Sequence, residues 1–206
     1  DGMKEALENF VKNGGILIIT YMSGIVNESD NVHLGGYPGP LREMAGVWVE
    51  EIDALAPEQT NEVKFTDGTT ASCNLLCDLM HLEGAEALAT YEKDFYAGMP
   101  AATRNTYGEG AAYYVGTQMD AAGLAKILDR AVSEVGVKAV IPETTGLEVT
   151  CRTSDDTRYY YVMNFKDEDQ ILPESLAGKI DLISREVIPA GTVLKKWDVL
   201  ILQEVK

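Results

Sequence analysis

The sequence predicts an α/β unit followed by a small antiparallel β-sandwich. Residues 16–20 read ILIIT, an uncharged run that fits a strand buried on both faces, the kind found inside parallel sheets. A helix-period segment stands directly before it, which makes the pair half of a βαβ unit whose first strand is missing. Beyond residue 146 the helical period does not return, and only short apolar runs between turn residues remain.

In chain order, Asp1 is placed to cap a helix with Met3, Leu7, Phe10 and Val11 on one face, and Asn13-Gly14 to end it. After ILIIT comes a loop rich in Gly, Pro and Asn, Tyr21 to Pro40, longer than a mere connection needs. Leu41 to Ala45 reads as a short helix with Pro40 at its first position. Val47-Trp48-Val49 begins a strand, and Glu50-Glu51 and Pro57 to Thr60 read as surface. Glu62 to Phe65 leads into an Asp67-Gly68 hairpin turn. Cys73 to Leu82 and Ala85 to Tyr91 read as strands. Ala101 to Tyr107 and Ala111 to Thr117 flank a hairpin at Gly108-Glu109-Gly110. Asp120 to Val135 is the second clear helix, with Leu124, Ile127, Leu128, Ala131 and Val135 as its expected buried face. Ala139 to Gly146 reads as a linker, which divides the chain into residues 1–138 and 139–206. The second part holds strand signals at Leu147 to Arg152, Arg158 to Phe165, Lys179 to Ile183, Glu186 to Ile188, Val193-Leu194 and Trp197 to Gln203.

Bulk composition excludes some function classes. With 46% apolar residues the 206-residue chain can bury a full core, and a net charge of −16 argues against binding nucleic acid or an anionic membrane surface. No window reaches a membrane-spanning length. The opening Asp-Gly-Met-Lys-Glu shows no signal peptide, and three cysteines, an odd number, suggest a reducing compartment; a cytoplasmic location is the expectation.

Candidate chemistry is sparse. Ser23 follows the ILIIT strand, where a nucleophile elbow would sit, but the elbow needs glycine two residues to either side and Tyr21 and Ile25 stand there. Cys73, Cys77 and His81 are spaced by four, which on a helix would align metal ligands. On a strand, residues four apart lie roughly 13 Å from each other, so buried structural cysteines are expected and no metal. Gly35, Gly36 and Gly39, and Gly108 with Gly110, make no dinucleotide fingerprint, and no cofactor is expected. Asn27-Glu28-Ser29 fits a glycosylation acceptor. Asp155-Asp156 and Asp167-Glu168-Asp169 could hold calcium but read as solvated turns. Glycosidases hold two carboxylates across a sugar; Glu50 and Glu51, adjacent on a strand, point to opposite faces, and no pair of acids is singled out. No catalytic residue is expected.

Six blocks in order carry a resemblance: NGGILIITYMSGIV (residues 13–26), HLGGYPGPLR (33–42), HLEGAE (81–86), PAATRN (100–105), GAAYYVGT (110–117) and WDVLIL (197–202). Together the chain resembles β-galactosidases of glycoside hydrolase family forty-two. The resemblance implies a flavodoxin- or amidotransferase-like, partial doubly wound sheet over residues 1–138, the trimerisation domain, begun after its first strands. Residues 139–206 would be the family's C-terminal β domain. It implies a parent enzyme that hydrolyses terminal β-D-galactosides with retention, through glutamates on a catalytic barrel that no residue here matches. The partners implied are other copies in a trimer and that barrel. Lys196-Trp197-Asp198 departs from the family's Pro-Tyr-Asp, which reads as a surface change.

The loop of residues 21–42 is expected either at a subunit or domain interface of the parent or as a long surface loop that only covers the end of the sheet. It leaves the carboxyl end of a strand, where α/β proteins gather their sites, and carries His33, Tyr37 and Arg42, types that suit interfaces and sugar hydroxyls. The alternative is a free-standing sugar- or protein-binding module without catalysis. An independent amidotransferase-like enzyme is weaker, since no cysteine follows a strand in an elbow context.

Overall fold

The computed structural model describes residues 2–143 and 146–205, and it divides into two compact units, Asp1–Val137 and Lys138–Lys206. In the first unit, helix α1 (Met3–Lys12) is followed at once by strand β1 (Ile16–Thr20). Gly2 occupies the N-cap position without a side-chain bond, and the cap proposed for Asp1 lies outside the described residues. Gly14 closes the helix at φ +95°, where a side chain would be strained. Of the expected helix face, Val11 is buried and Leu7 packs beside it, while Met3 and Phe10 are exposed. The Phe10 ring instead lies against Gly15, where a Cβ would come within 2.5 Å of it.

A short 3₁₀ turn (Gly39–Leu41) and helix α2 (Arg42–Ala45) lead into β2 (Val47–Ala54), β3 (Asn61–Phe65), β4 (Thr70–Leu82), β5 (Glu86–Tyr91), β6 (Pro100–Tyr107), β7 (Gly110–Val115), β8 (Thr117–Met119) and helix α3 (Ala121–Glu134). The strands form one mixed sheet in the order β1-β7-β6-β5-β3-β4-β2, with β8 added against β4. Both expected hairpins are present, β3–β4 across Asp67-Gly68 and β6–β7 across Gly108-Glu109. Among the described residues parallel pairing is confined to β1 and β7, and β1 stands at an end of the sheet rather than inside it. Its residues 16–18 are half-buried in consequence.

Along β7 the side chains alternate between two cores. Ala111, Tyr113 and Val115 join the layer under α3, and Ala112 and Tyr114 join the layer under α1 and α2. The two layers therefore lie on opposite faces of the sheet.

Helix α3 departs from expectation. Asp120 does cap it, its Oδ1 accepting from Gly123 N at 2.8 Å. The buried row, however, is Gly123, Ile127 and Ala131, while Leu124, Leu128 and Val135, expected inside, are exposed. The cause is the close approach at Gly123, where a Cβ would meet Ala71 Cβ at 2.7 Å. That contact turns the helix so that its glycine row faces the sheet.

The second unit holds a four-stranded antiparallel sheet, β12-β14-β10-β9, built from β9 (Glu148–Thr153), β10 (Thr157–Met163), β12 (Ile180–Asp181) and β14 (Val199–Val205). A two-stranded pair, β11 (Gln170–Ile171) with β13 (Val193–Leu194), completes it. Tyr160, Val162, Leu172, Leu176, Ile188, Leu194 and Leu202 fill its core. Two buried polar residues tie the turns. Asn164 donates to the carbonyls of Glu168, Leu194 and Lys195. Asp181 accepts from the backbone of Ser184 and Ile201; burial opposes its charge, but these donors outweigh burial and hold the carboxyl below its usual range.

Candidate functional site

The loop between β1 and α2 is long but fastened at several points. At its start Tyr21 N donates to Val115 O at 2.8 Å, which continues the parallel ladder by one residue. Val26 and Val32 then pair across a turn that Asn27 organises, its Oδ1 accepting from Ser29 N and Asn31 N. That bonding accounts for Asn27 as a turn residue. His33 N donates to Ile25 O at 2.9 Å, and the His33 side chain packs on Gly39, where a Cβ would meet its Cβ at 2.9 Å.

Tyr37 forms a bridge with Val49 of β2 in both directions, N to O at 3.2 Å and O from N at 2.9 Å, and its ring joins the core under α2. Gly36 carries φ +90° and lies so close to Trp48 that a Cβ would sit 1.9 Å from its Nε1. Arg42 grips three oxygens. Its Nη1 donates to Gly35 O at 2.6 Å, and Nε and Nη2 donate to the two carboxylate oxygens of Glu83 at 2.6 and 2.5 Å. The bidentate geometry is the strong form of this pair; Arg42 holds the Glu83 carboxyl below its usual range, and Glu83 raises the guanidinium. The guanidinium also lies 5.4 Å from the Trp48 ring, which stacks on His81 at 4.8 Å. His81 in turn bonds Glu50 at 2.8 Å.

The three residues singled out in the sequence therefore divide. Arg42 and Tyr37 hold the loop to the sheet, and His33 props its own turn. The side chain the loop presents is one that sequence reasoning missed: Leu34 is 98% exposed between two fastened neighbours, with Met22, Val26 and Val32 also exposed. Only the block's glycines and prolines hinted that its backbone would be fixed. A shallow cleft of about 440 Å³ beside the loop is lined by Lys4, Gly39, Pro40, Arg42, Glu43 and Glu83, with the opposite charges already paired at Arg42 and Glu83.

One residue along the chain from the Val115 carbonyl that holds Tyr21, the backbone engages a buried acid. Asp78 N donates to Gly116 O, next to the Val115 O that Tyr21 engages. Its Oδ2 accepts from Tyr114 Oη at 2.8 Å, and among the described residues its Oδ1 has no partner. Burial pushes its carboxyl up to about 7.

The cysteine expectation needs correction in its geometry. β4 bulges between Asn74 and Cys77 in its pairing with β8, and Leu75 sits at φ +69°. Two residues are looped out, so Cys73 and Cys77 are not about 13 Å apart but face each other as buried thiols. Cys77 Sγ also contacts Thr117 Oγ1 at 3.9 Å. His81 lies on the exposed part of β4, and among the described residues no three such side chains gather to hold a metal. Asp167 and Asp169 pair with Lys196 and Lys195. Among the described residues no helix is long and apolar enough to cross a membrane.

Comparison with known proteins matches both units. A family model described as the β-galactosidase trimerisation domain matches residues 1–138, and one described as the β-galactosidase C-terminal domain matches residues 146–204. β-Galactosidase LacA of Lactobacillus acidophilus is 42% identical over 203 residues, 98% of this chain and 30% of its own length. β-Galactosidase BgaA of Planococcus sp. strain 'SOS Orange' is 43% identical over 210 residues, 100% of this chain and 31% of its own. The crystal structure of a β-galactosidase from Bacillus circulans sp. alkalophilus superposes with a TM-score of 0.90 at 39% identity, covering 99% of this chain and 31% of that one. The chain thus spans less than a third of the length of these relatives.

Proposed function

Because the chain belongs to the family of β-galactosidases, as its trimerisation and C-terminal domains, we propose that its work is to assemble and support such an enzyme. It is the non-catalytic carboxy-terminal region of a β-galactosidase, and the hydrolysis of terminal β-D-galactosides with retention belongs to a catalytic barrel outside these residues. Residues 1–138 are the self-associating part and residues 139–206 the C-terminal β domain.

The observation that carries this reading is the fastened loop of residues 21–42. A loop built only to cover a sheet end has no need of an Arg42 clamp, a Tyr37 bridge and a Gly36–Trp48 contact that together hold Leu34 out in solvent. Rigid presentation of an apolar side chain lowers the ordering cost of an interface. In the assembled enzyme this loop meets a neighbouring subunit or the barrel, with His33, Tyr37 and Arg42 holding its shape. The end position of β1 supports the same reading. Tyr21 N and Gly15 O face β7, so by alternation the backbone groups of Ile16, Ile18 and Thr20 face away from it. This edge strand carries no charge or proline, and we infer that it is covered by the rest of the enzyme.

The test is a Tyr37→Ala, Arg42→Ala double change in the full-length enzyme, followed by sedimentation and kinetics. Loss of trimer with intact barrel folding is expected. Trimer content and kcat/KM both unchanged within about twofold, roughly 0.4 kcal/mol, would reduce the loop to a cover. The 206-residue chain alone is expected to leave a chromogenic β-galactoside uncleaved.

A further inference from the structure

We propose that Cys73 and Cys77 form an oxidant-responsive dithiol, which closes to a disulfide within β4 when a small hydroperoxide reaches it. The ladder between β4 and β8 sets the geometry. Cys73 pairs with Met119 and Cys77 with Thr117, so four steps along β4 correspond to two along β8. With Leu75 and Leu76 looped out, Cys77 takes the place that Leu75 would hold in an unbroken strand. Places two apart on a strand face the same side and lie roughly 6–7 Å from each other. That falls in the Cα separation of roughly 4.4–6.8 Å that a disulfide spans. Both side chains enter the same core layer, the one under α3.

The bulge is held in this shape. Leu75 takes φ +69°, a left-handed conformation that costs a leucine energy. Its carbonyl accepts from Leu55 N at 3.0 Å, and the Leu76 carbonyl accepts from Thr117 Oγ1 at 2.6 Å. On its other edge β4 exchanges neighbours here, with Cys73 opposite Asn61 of β3 and Cys77 opposite Asp53 of β2. A disulfide would clasp the strand at that crossing and constrain the unfolded chain.

The two thiols are set up for different roles. Cys73 donates to Cys77 Sγ, and this bond outweighs burial and holds the Cys77 thiol below its ordinary range, while the same bond and burial raise that of Cys73. Cys77 is therefore the attacking thiolate and Cys73 the resolving thiol. The Cys77 sulfur attacks one peroxide oxygen. An S–O bond forms, the O–O bond breaks, and the leaving oxygen takes up the proton that Cys77 released. The Cys73 sulfur then attacks the sulfenic sulfur. The S–S bond forms, the S–O bond breaks, and the departing hydroxide leaves as water with the Cys73 proton. The two thiols lose two electrons in all, and the hydroperoxide gains them.

The surroundings select a small oxidant. Both cysteines are buried, but Cys73 lines a cleft of about 190 Å³ together with Ser72, Asn74, Gln118, Met119 and Asp120. That is several times the roughly 30 Å³ share of a water molecule. Hydrogen peroxide fits such a space, and the thiol of a second protein does not.

The experiment treats the 206-residue chain carrying Cys151→Ser, folded by circular dichroism, with hydrogen peroxide. The product is alkylated with iodoacetamide in denaturant and weighed. The expected product takes no alkyl group and is lighter by two hydrogens, and dithiothreitol restores two alkylatable thiols. On the same background, Cys73→Ala is expected to stop at a Cys77 sulfenic acid that dimedone traps, and Cys77→Ala to keep Cys73 as a free thiol at that dose. Two free thiols after a dose that oxidises the urea-unfolded chain overturn the proposal and leave a pair of structural cysteines. A disulfide between chains, or one sulfur oxidised beside a free partner, overturns it as well. The first measurement leaves the core unsubstituted, so it decides the matter even where the alanine variants fail to fold.

Discussion

The loop of residues 21–42 and helix α3 reverse the usual expectation for loops and helices. The loop, made largely of Gly, Pro and polar residues, is fastened to the sheet by Arg42, Tyr37 and Gly36 and presents one large apolar side chain. The helix, regular and amphipathic, buries a row of small residues and leaves its larger apolar side chains outside. Regularity of backbone is therefore no guide to which element is finished. Each presents apolar surface because a close contact elsewhere fixes its orientation.

The largest expected effect lies one residue from the Val115 carbonyl that holds the start of the loop and has no counterpart on α3. The carboxyl of Asp78 titrates near 7 instead of the ordinary 3.8, because burial disfavours its charge more than the Tyr114 hydroxyl supports it. In the unfolded chain it ionises at the lower value. Folding is thus free of this penalty below about pH 4, and stability falls as pH rises towards 7, by up to about 4 kcal/mol. Urea titrations of the unsubstituted chain and of Asp78→Asn between pH 4 and 8 read this directly. The difference between them is expected to shrink as pH falls, and equal slopes would remove Asp78 from the account.

Gly36→Ala comes next. Its φ of +90° and the 1.9 Å approach to Trp48 predict a loss of about 2–4 kcal/mol. On the helix, Gly123→Ala gains helix propensity but drives a methyl into Ala71, so a net loss of about 1–2 kcal/mol is expected. Leu128→Gln, at 41% exposure, is expected to change the stability of the single chain by less than about 0.5 kcal/mol. Thermal melts of the three variants sharpen the comparison. A Leu128→Gln loss as large as that of Gly123→Ala would mean the outer flank is structural after all.

Much of the fold was legible in the residues. The ILIIT strand, the Asp120 cap and the turns at Asp67-Gly68 and Gly108-Glu109 each have a local cause that the structure repeats. What escaped was decided by distant contacts. In α3 two adjacent rows satisfy the same period, Gly123-Ile127-Ala131 and Leu124-Leu128-Val135; the expected face spanned both, and Ile127 and Ala131 are buried while Leu124, Leu128 and Val135 are not. The close contact with Ala71 chooses between them, and that is invisible to a pattern. The β4 bulge at Leu75 uses no glycine, so nothing marked that Cys73 and Cys77 would meet. Within the candidate site, the fixed backbone of the loop was legible in its glycines and prolines. His33, Tyr37 and Arg42 have the look of contact residues and the structure shows them also holding the loop, while Leu34, which looks like core, is exposed.

Sedimentation velocity of the 206-residue chain over a hundredfold concentration range tests the central claim most directly. The account predicts that the 22.5 kDa chain self-associates, approaching three times its mass at the upper end, and that Leu34→Asp returns it to a single chain with its fold intact. A particle of 22.5 kDa at every concentration, indistinguishable from Leu34→Asp, would contradict it.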